Sequence, residues 1–429
     1  MKSTTTTSLF FVFAIFFQGL ATAWQIPSFQ MPLVPSWAGG KNPPSSAGVP
    51  RFILDTKHPW LSERAGDLAD LPNIKSFLCS LTDDAASQNG DSFGGGDKSL
   101  ASSLRVPADL FRKLEINNDG PEGSCDEWSN TIERLKEMRA CPRALKEVRE
   151  LDVDVYVRER APWNALTEPL PALLNEVLGS MDNLEKLDWM IRGLNENAAI
   201  GEAFVQSGTR LGSVEELTAN IFAPWLIDVC PSVKRLEARR DKSVRSPRSH
   251  RKDTNEDWVK AAGRLKGLKK LHLGNIAWGS AMAELDSNEF SDIDELWVGS
   301  FSGVYRTYPR KEEQILRNLT KTLSPLSNLK HLHLPWSAEL DLGFDGGPLC
   351  GNFYMGEGGN ERWLQVLAQN VEATERAGRV VREVVPQLKG VTVGDYHGNF
   401  TTDAEGREVI LWEWTDRLDD WLLEHGMED

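Results

Sequence analysis

A six-residue pattern, apolar at its first, fourth and sixth positions, recurs along the chain and limits the folds open to it more than any other feature. It stands at Ile74–Cys79, Phe111–Ile116, Val148–Val153 and Leu184–Trp189, and again at Val214–Ala219, Val233–Ala238 and Leu268–Leu273. Ile293–Val298, Leu329–Leu334 and Leu388–Val393 complete the series. The second apolar anchors, Phe77, Leu114, Leu151 and Leu187, are separated by 37, 37 and 36 residues; the later separations are 30, 19, 35, 25, 36 and 59. In each copy the last three residues alternate in, out and in, the period of a strand buried on one face, and the first apolar residue closes the bend that feeds it. Between the copies lie helical stripes. In Asp126–Arg139, Trp128, Ile132, Leu135 and Met138 share one face, and Glu361–Val385 contains a second such segment. One helix and one strand bury too little alone, so the units are expected to stack.

These motifs resemble the leucine-rich repeat superfamily, in particular the irregular ribonuclease-inhibitor-like and fungal F-box-associated leucine-rich repeat proteins. Cys230-Pro231 before Val233–Leu236 matches that family's way of ending a helix ahead of a strand, and Leu323–Leu334 carries its leucine and asparagine rhythm. The resemblance implies an α/β leucine-rich-repeat-like solenoid, with a curved parallel sheet and outer helices, over residues 60–400. No F-box pattern precedes it.

The ends of the chain read differently. Lys2, the apolar run Leu9–Phe17 and Ala21-Thr22-Ala23 have the layout of a secretory signal peptide over residues 1–23, with Trp24 as the expected mature start. Residues 24–59 are rich in Pro, Gly and Ser and are expected to form an irregular arm. Residues 401–429, with Trp412, Trp414 and Trp421, are expected to cap the last unit. No later apolar run is long enough to suggest a transmembrane anchor after cleavage. Export gives meaning to the sequons at Asn318 and Asn399 as glycosylation sites. The five cysteines lack metal-ligand spacing, which favours buried thiols with one or two structural bridges.

Charge narrows the partners. With 48 Lys and Arg against 63 Asp and Glu the net charge is −15, which makes a nucleic-acid partner unlikely. Nine basic residues between Lys234 and Lys252 are the local exception, and the central portion, Asp241–Asp253, reads as an exposed insertion. Nucleophile-elbow, metal-helix and dinucleotide-glycine motifs are absent, so no catalytic residue, metal ligand or cofactor is assigned.

The outward residues of the proposed strands form a column: Leu78, Glu115, Asp152, Asp188, Thr218, Glu237, His272, Trp297, His333 and Thr392. Its proximal part is acidic. Asp152 and Asp188 have the residue types of a glycosidase pair, although a solvated acidic stripe is the plainer account. In the distal part His272, Trp297 and His333 are the expected ligand-binding residues, an apolar centre flanked by imidazoles. Among the 15 tryptophans, Trp189, Trp278, Trp297 and Trp336 fall in or just after strands, where packing between coils is the first expectation and a ligand surface the second. The function expected is that of a secreted, noncatalytic protein binding another secreted protein or a glycan. A secreted carbohydrate-active hydrolase and an intracellular F-box-like substrate adaptor are the alternatives.

Overall fold

The computed structural model describes residues 49–64, 106–118, 128–155, 169–191, 194–239, 248–274, 288–299, 312–344 and 354–426 apart from positions 108 and 341, together with Leu68, Leu78, Cys79 and Leu285. The chain divides into two units, Met1–Ala47 and Gly48–Asp429. The signal-peptide segment and most of the expected arm lie outside the described residues, as do Trp278 and positions 240–247 of the basic stretch. From Arg248 that stretch is helical, within Arg248–Gly263.

Among the described residues eleven strands make one sheet in sequence order: β1 Lys113–Asn117, β2 Glu150–Val155, β3 Lys186–Ile191, β4 Glu216–Asn220, β5 Arg235–Arg239, β6 Lys270–His272, β7 Glu295–Trp297, β8 His331–Leu334, β9 Gly390–Val393, β10 Tyr396–Thr402 and β11 Glu408–Leu411. The first nine are parallel, each paired with the next. Their register sets the anchors opposite one another: Leu114, Leu151, Leu187, Leu217, Leu236, Leu271, Leu296, Leu332 and Val391 form one continuous row. Every member of that row is buried, and burying one leucine side chain is worth about 2 kcal/mol. A one-residue slip would turn the row outward, so burial excludes it.

Helices cross between the strands and cover the apolar face. The Trp128–Arg139 helix buries Trp128, Ile132, Leu135 and Met138, the stripe its periodicity predicts, and packs on the Pro169–Gly179 helix. Gly359–Val384 runs for 26 residues and packs against Glu312–Leu323, Ser337–Leu340 and Leu418–Gly426. At the N-terminal end Arg134 is fully enclosed. Its Nε donates to Asp55 at 2.6 Å and its Nη1 to the Asn117 carbonyl at 3.2 Å, tying the Arg51–Leu54 turn to β1. A disulfide joins Cys79 to Cys141, and Cys230 is a buried free thiol that burial pushes above its ordinary pKa.

The architecture corrects the leucine-rich-repeat expectation. The sheet is mixed, because β10 runs antiparallel to β9 and β11 antiparallel to β10, and it is open and not strongly curled, where the resemblance implied a curved parallel sheet. The physical reason is that the six-residue pattern encodes a short strand buried on one face and says nothing of the direction of its neighbour. Direction is set by the connection. A crossover of a dozen or more residues returns the chain for a parallel strand, whereas a two-residue loop reverses it.

Such a loop follows β9. Val393 pairs with Tyr396, leaving Gly394 and Asp395 as the turn, and Gly394 has φ of 61°, the positive value that tight hairpin turns demand. A regular curved solenoid also needs units of similar size, so that each adds the same rotation. Here the anchors are separated by anything from 19 to 59 residues. The Ile74–Cys79 copy is corrected too, since Leu78 and Cys79 have helical backbone and Leu78 is wholly buried. The boundary expected at residue 400 falls inside β10.

Candidate functional site

The sheet face opposite the helices presents its side chains in rows. One row runs Lys113, Glu150, Lys186, Glu216, Arg235, Lys270, Glu295 and His331. Acids and bases nearly alternate along it, so its charge is largely compensated. The next row is Glu115, Asp152, Asp188, Thr218, Glu237, His272, Trp297, His333, Thr392 and His397, the last added by the antiparallel pairing of β10.

His272, Trp297 and His333 are direct neighbours in that row, as their pattern positions require. The Trp297 indole lies between the two imidazoles. Its ring stacks on His333 with centroids 3.7 Å apart and planes 9° from parallel, and meets His272 at 5.2 Å with a 42° tilt. Trp297 nevertheless remains 39% exposed. One face is therefore covered and the other partly so, which leaves the ring edge as the main accessible surface.

Glu295, two residues earlier on β7, holds this arrangement. Its carboxylate accepts the Trp297 Nε1–H at 2.7 Å, lies 3.2 Å from His333 Nε2, and pairs with Lys270 at 2.5 Å. Burial pushes Glu295 upward, but hydrogen bonds from Lys270 and Trp297 outweigh it and leave the carboxyl below its ordinary pKa. An ionised carboxylate only accepts hydrogen bonds, so His333 Nε2 carries the proton and Nδ1 is the bare nitrogen. That Nδ1 is buried without a partner. Burial is the main cause that brings His333 down to about 4, with Glu295 opposing and His397 and His331 adding to it. On the other flank, the hydrogen bond to His272 first, and its charge after that, hold Glu237 below its ordinary value; the two groups are 3.4 Å apart.

β10 enlarges the cluster in a way the pattern did not reveal. His397 Nδ1 is 3.0 Å from Thr392 Oγ1, its Nε2 is 3.1 Å from Asn399 Oδ1, and its ring lies 6.5 Å from that of His331. Four histidines thus share one face between β6 and β10. The signal that finds His397 is Gly394-Asp395 as a hairpin turn followed by the alternating segment Tyr396–Thr402. Among the described residues no group of three or more His, Cys, Asp or Glu is arranged to hold a metal ion.

The proximal acids are in register but unequal. Asp188 accepts Arg239 Nη1 at 2.7 Å. Asp152 is raised by burial and next by Asp188, with Arg239 opposing, and one of its oxygens is buried without a hydrogen bond. The two sequons also reach the surface. Asn399 is exposed on β10, and Asn318 is exposed on the Glu312–Leu323 helix, accepting from Gln314 at 2.8 Å, while Thr320 of the same sequon is buried.

No protein-family model matches this chain, and no curated protein does. Among solved structures, the chain is similar to a Bacteroides fragilis protein determined by the Northeast Structural Genomics Consortium, at 11% identity over 70% of this chain and 78% of that one. The TM-score is 0.33, a level of similarity that carries no argument about fold or function.

Proposed function

We propose that this chain is a noncatalytic binding protein whose recognition surface is the His272–Trp297–His333 face, and that its partner is another protein. The observation that carries the reading is the state of Trp297: a large aromatic group kept substantially exposed while Glu295 and His333 fix its orientation. Aromatic anchors held in one rotamer before binding lose little entropy on association, which is the physics of interface hot spots. Protein is favoured over glycan because sugar rings bind by lying flat on an indole, and here one indole face is stacked on His333 with the other partly screened by His272. The exposed edge suits insertion between aliphatic side chains. Export is part of the reading, supported by the N-terminal apolar run and by the Cys79–Cys141 disulfide, which an oxidising compartment favours.

The test uses the protein and its Trp297→Ala variant side by side as baits against secreted proteins. A retained partner is then purified and its affinity measured for both. The expected loss is about 30-fold or more, the effect of truncating a hot-spot tryptophan, measured at a temperature where thermal unfolding shows the variant still folded. Equal affinity of a confirmed partner for both forms removes Trp297 from the interface and overturns the proposal.

A further inference from the structure

A second aromatic site lies beyond the sheet face, at the turn between β9 and β10. Trp336 follows β8 by two residues and is 43% exposed. Its six-membered ring packs on Gly394, where a Cβ would come within 2.5 Å of the ring, so only glycine lets the indole sit against this turn. The Trp336 ring meets Tyr396 almost perpendicularly, at 86° with centroids 6.1 Å apart. Tyr396 is braced from behind by Trp414 at 5.1 Å and Trp421 at 5.8 Å, and Trp414 is itself held by an Nε1–H bond to Glu375 at 3.0 Å. The corner is therefore rigid before anything binds.

Two carboxylates border it, with the Arg417 guanidinium bonded to the Glu413 backbone carbonyl at 2.9 Å. Burial first, then the Glu413 and Asp395 carboxylates, push the Tyr396 hydroxyl above its ordinary pKa, which means that both acids act on this corner. Asp395 and Glu413 are exposed, and among the described residues no Lys, Arg or His forms an ion pair with either. Nothing in Trp297 or its neighbours contributes, so this site stands or falls independently of the surface proposed above.

We propose that the corner formed by Trp336 and Tyr396, with Asp395 and Glu413 at its rim, binds an alkylammonium cation. Two ring planes at right angles offer a cation more than one π system, and the quadrupole of each attracts positive charge. Carboxylates that form no ion pair among the described residues add long-range attraction. A small inorganic cation keeps too tight a hydration shell to profit from the rings, whereas an alkylammonium is weakly hydrated and presents apolar C–H groups to them. Free quaternary ammonium compounds and a methylated lysine of a protein share this chemistry.

Choline, its neutral isostere 3,3-dimethyl-1-butanol, N-acetyl-trimethyllysine amide and glucose are titrated into the full chain and followed through tryptophan indole N–H signals. Choline is expected to bind in the millimolar range, the isostere about tenfold more weakly, and Trp336→Ala to weaken choline about fivefold or more. Asp395→Asn combined with Glu413→Gln leaves the rings in place and is expected to weaken choline while sparing the isostere. Tighter binding of the trimethyllysine amide than of choline identifies a protein side chain as the source, and equal binding a free ammonium compound. Equal affinity for choline and isostere, binding of glucose in preference to both, or choline affinity unchanged in Trp336→Ala would each overturn the proposal.

Discussion

Acidification is expected to destabilise this protein through His333, and the size of the effect follows from its surroundings. The imidazole is 15% exposed, stacked under Trp297, and has a bare Nδ1 with no donor in reach. Its pKa falls from 6.5 to about 4, chiefly through burial. The unfolded chain therefore binds the proton more tightly than the native one, and stability rises with pH wherever the unfolded state holds more protons. The stabilisation is complete above pH 6.5 and is lost as pH falls from there toward 4.

A difference of 2.5 pK units corresponds to at most about 3.4 kcal/mol at 1.36 kcal/mol per unit. At pH 5 the same shift implies at most about 2 kcal/mol. Residual solvent contact lowers this further, to roughly 1 kcal/mol between pH 7 and pH 5. Urea unfolding at both pH values, for the protein and for His333→Gln, measures it: the variant should lose about 1 kcal/mol less on acidification. A ring-proton titration by nuclear magnetic resonance gives the pKa directly. A His333 pKa near 6.5, or identical pH dependence in the variant, would refute the argument from burial.

Two further outcomes test the core. Leu271→Asp places a carboxylate in the middle of the buried row and is expected to cost at least about 4 kcal/mol in urea unfolding; a loss below about 1 kcal/mol would mean that this position does not face the helices. Asn197 accepts the Trp189 Nε1–H at 3.0 Å and donates to the Ile191 carbonyl at 2.7 Å, which also accepts from Asn220, so Asn197→Ala strands the buried Trp189 N–H and should cost about 1–3 kcal/mol, with a shifted Trp189 indole signal as the local check.

The strands from β1 to β9 were legible because their signal is local. A short strand buried on one face must alternate, and the alternation of Leu114 with Ile116 or Leu271 with Leu273 needs no knowledge of the neighbours. The placement of His272, Trp297 and His333 side by side follows from the same periodicity once adjacent strands share a register. The Ile74–Cys79 copy shows the limit, since six residues with apolar spacing also fit a helix, and Leu78 is buried in one.

The sequence by itself determined which residues face inward along the strands and which column of side chains faces out. Tertiary structure alone decided the direction of β10 and β11, and with it the departure from a curved parallel solenoid, because direction depends on how a connection closes and not on the strands that it joins. It also decided the character of the site. Glu295 becomes the common partner of Lys270, Trp297 and His333 only when three strands lie together, and His397 reaches Thr392 only because Gly394 permits the reversal. Burial and electrostatic neighbours are properties of the assembled sheet, so the lowered pKa of His333 and the exposed edge of Trp297 had no counterpart in the linear order of the residues.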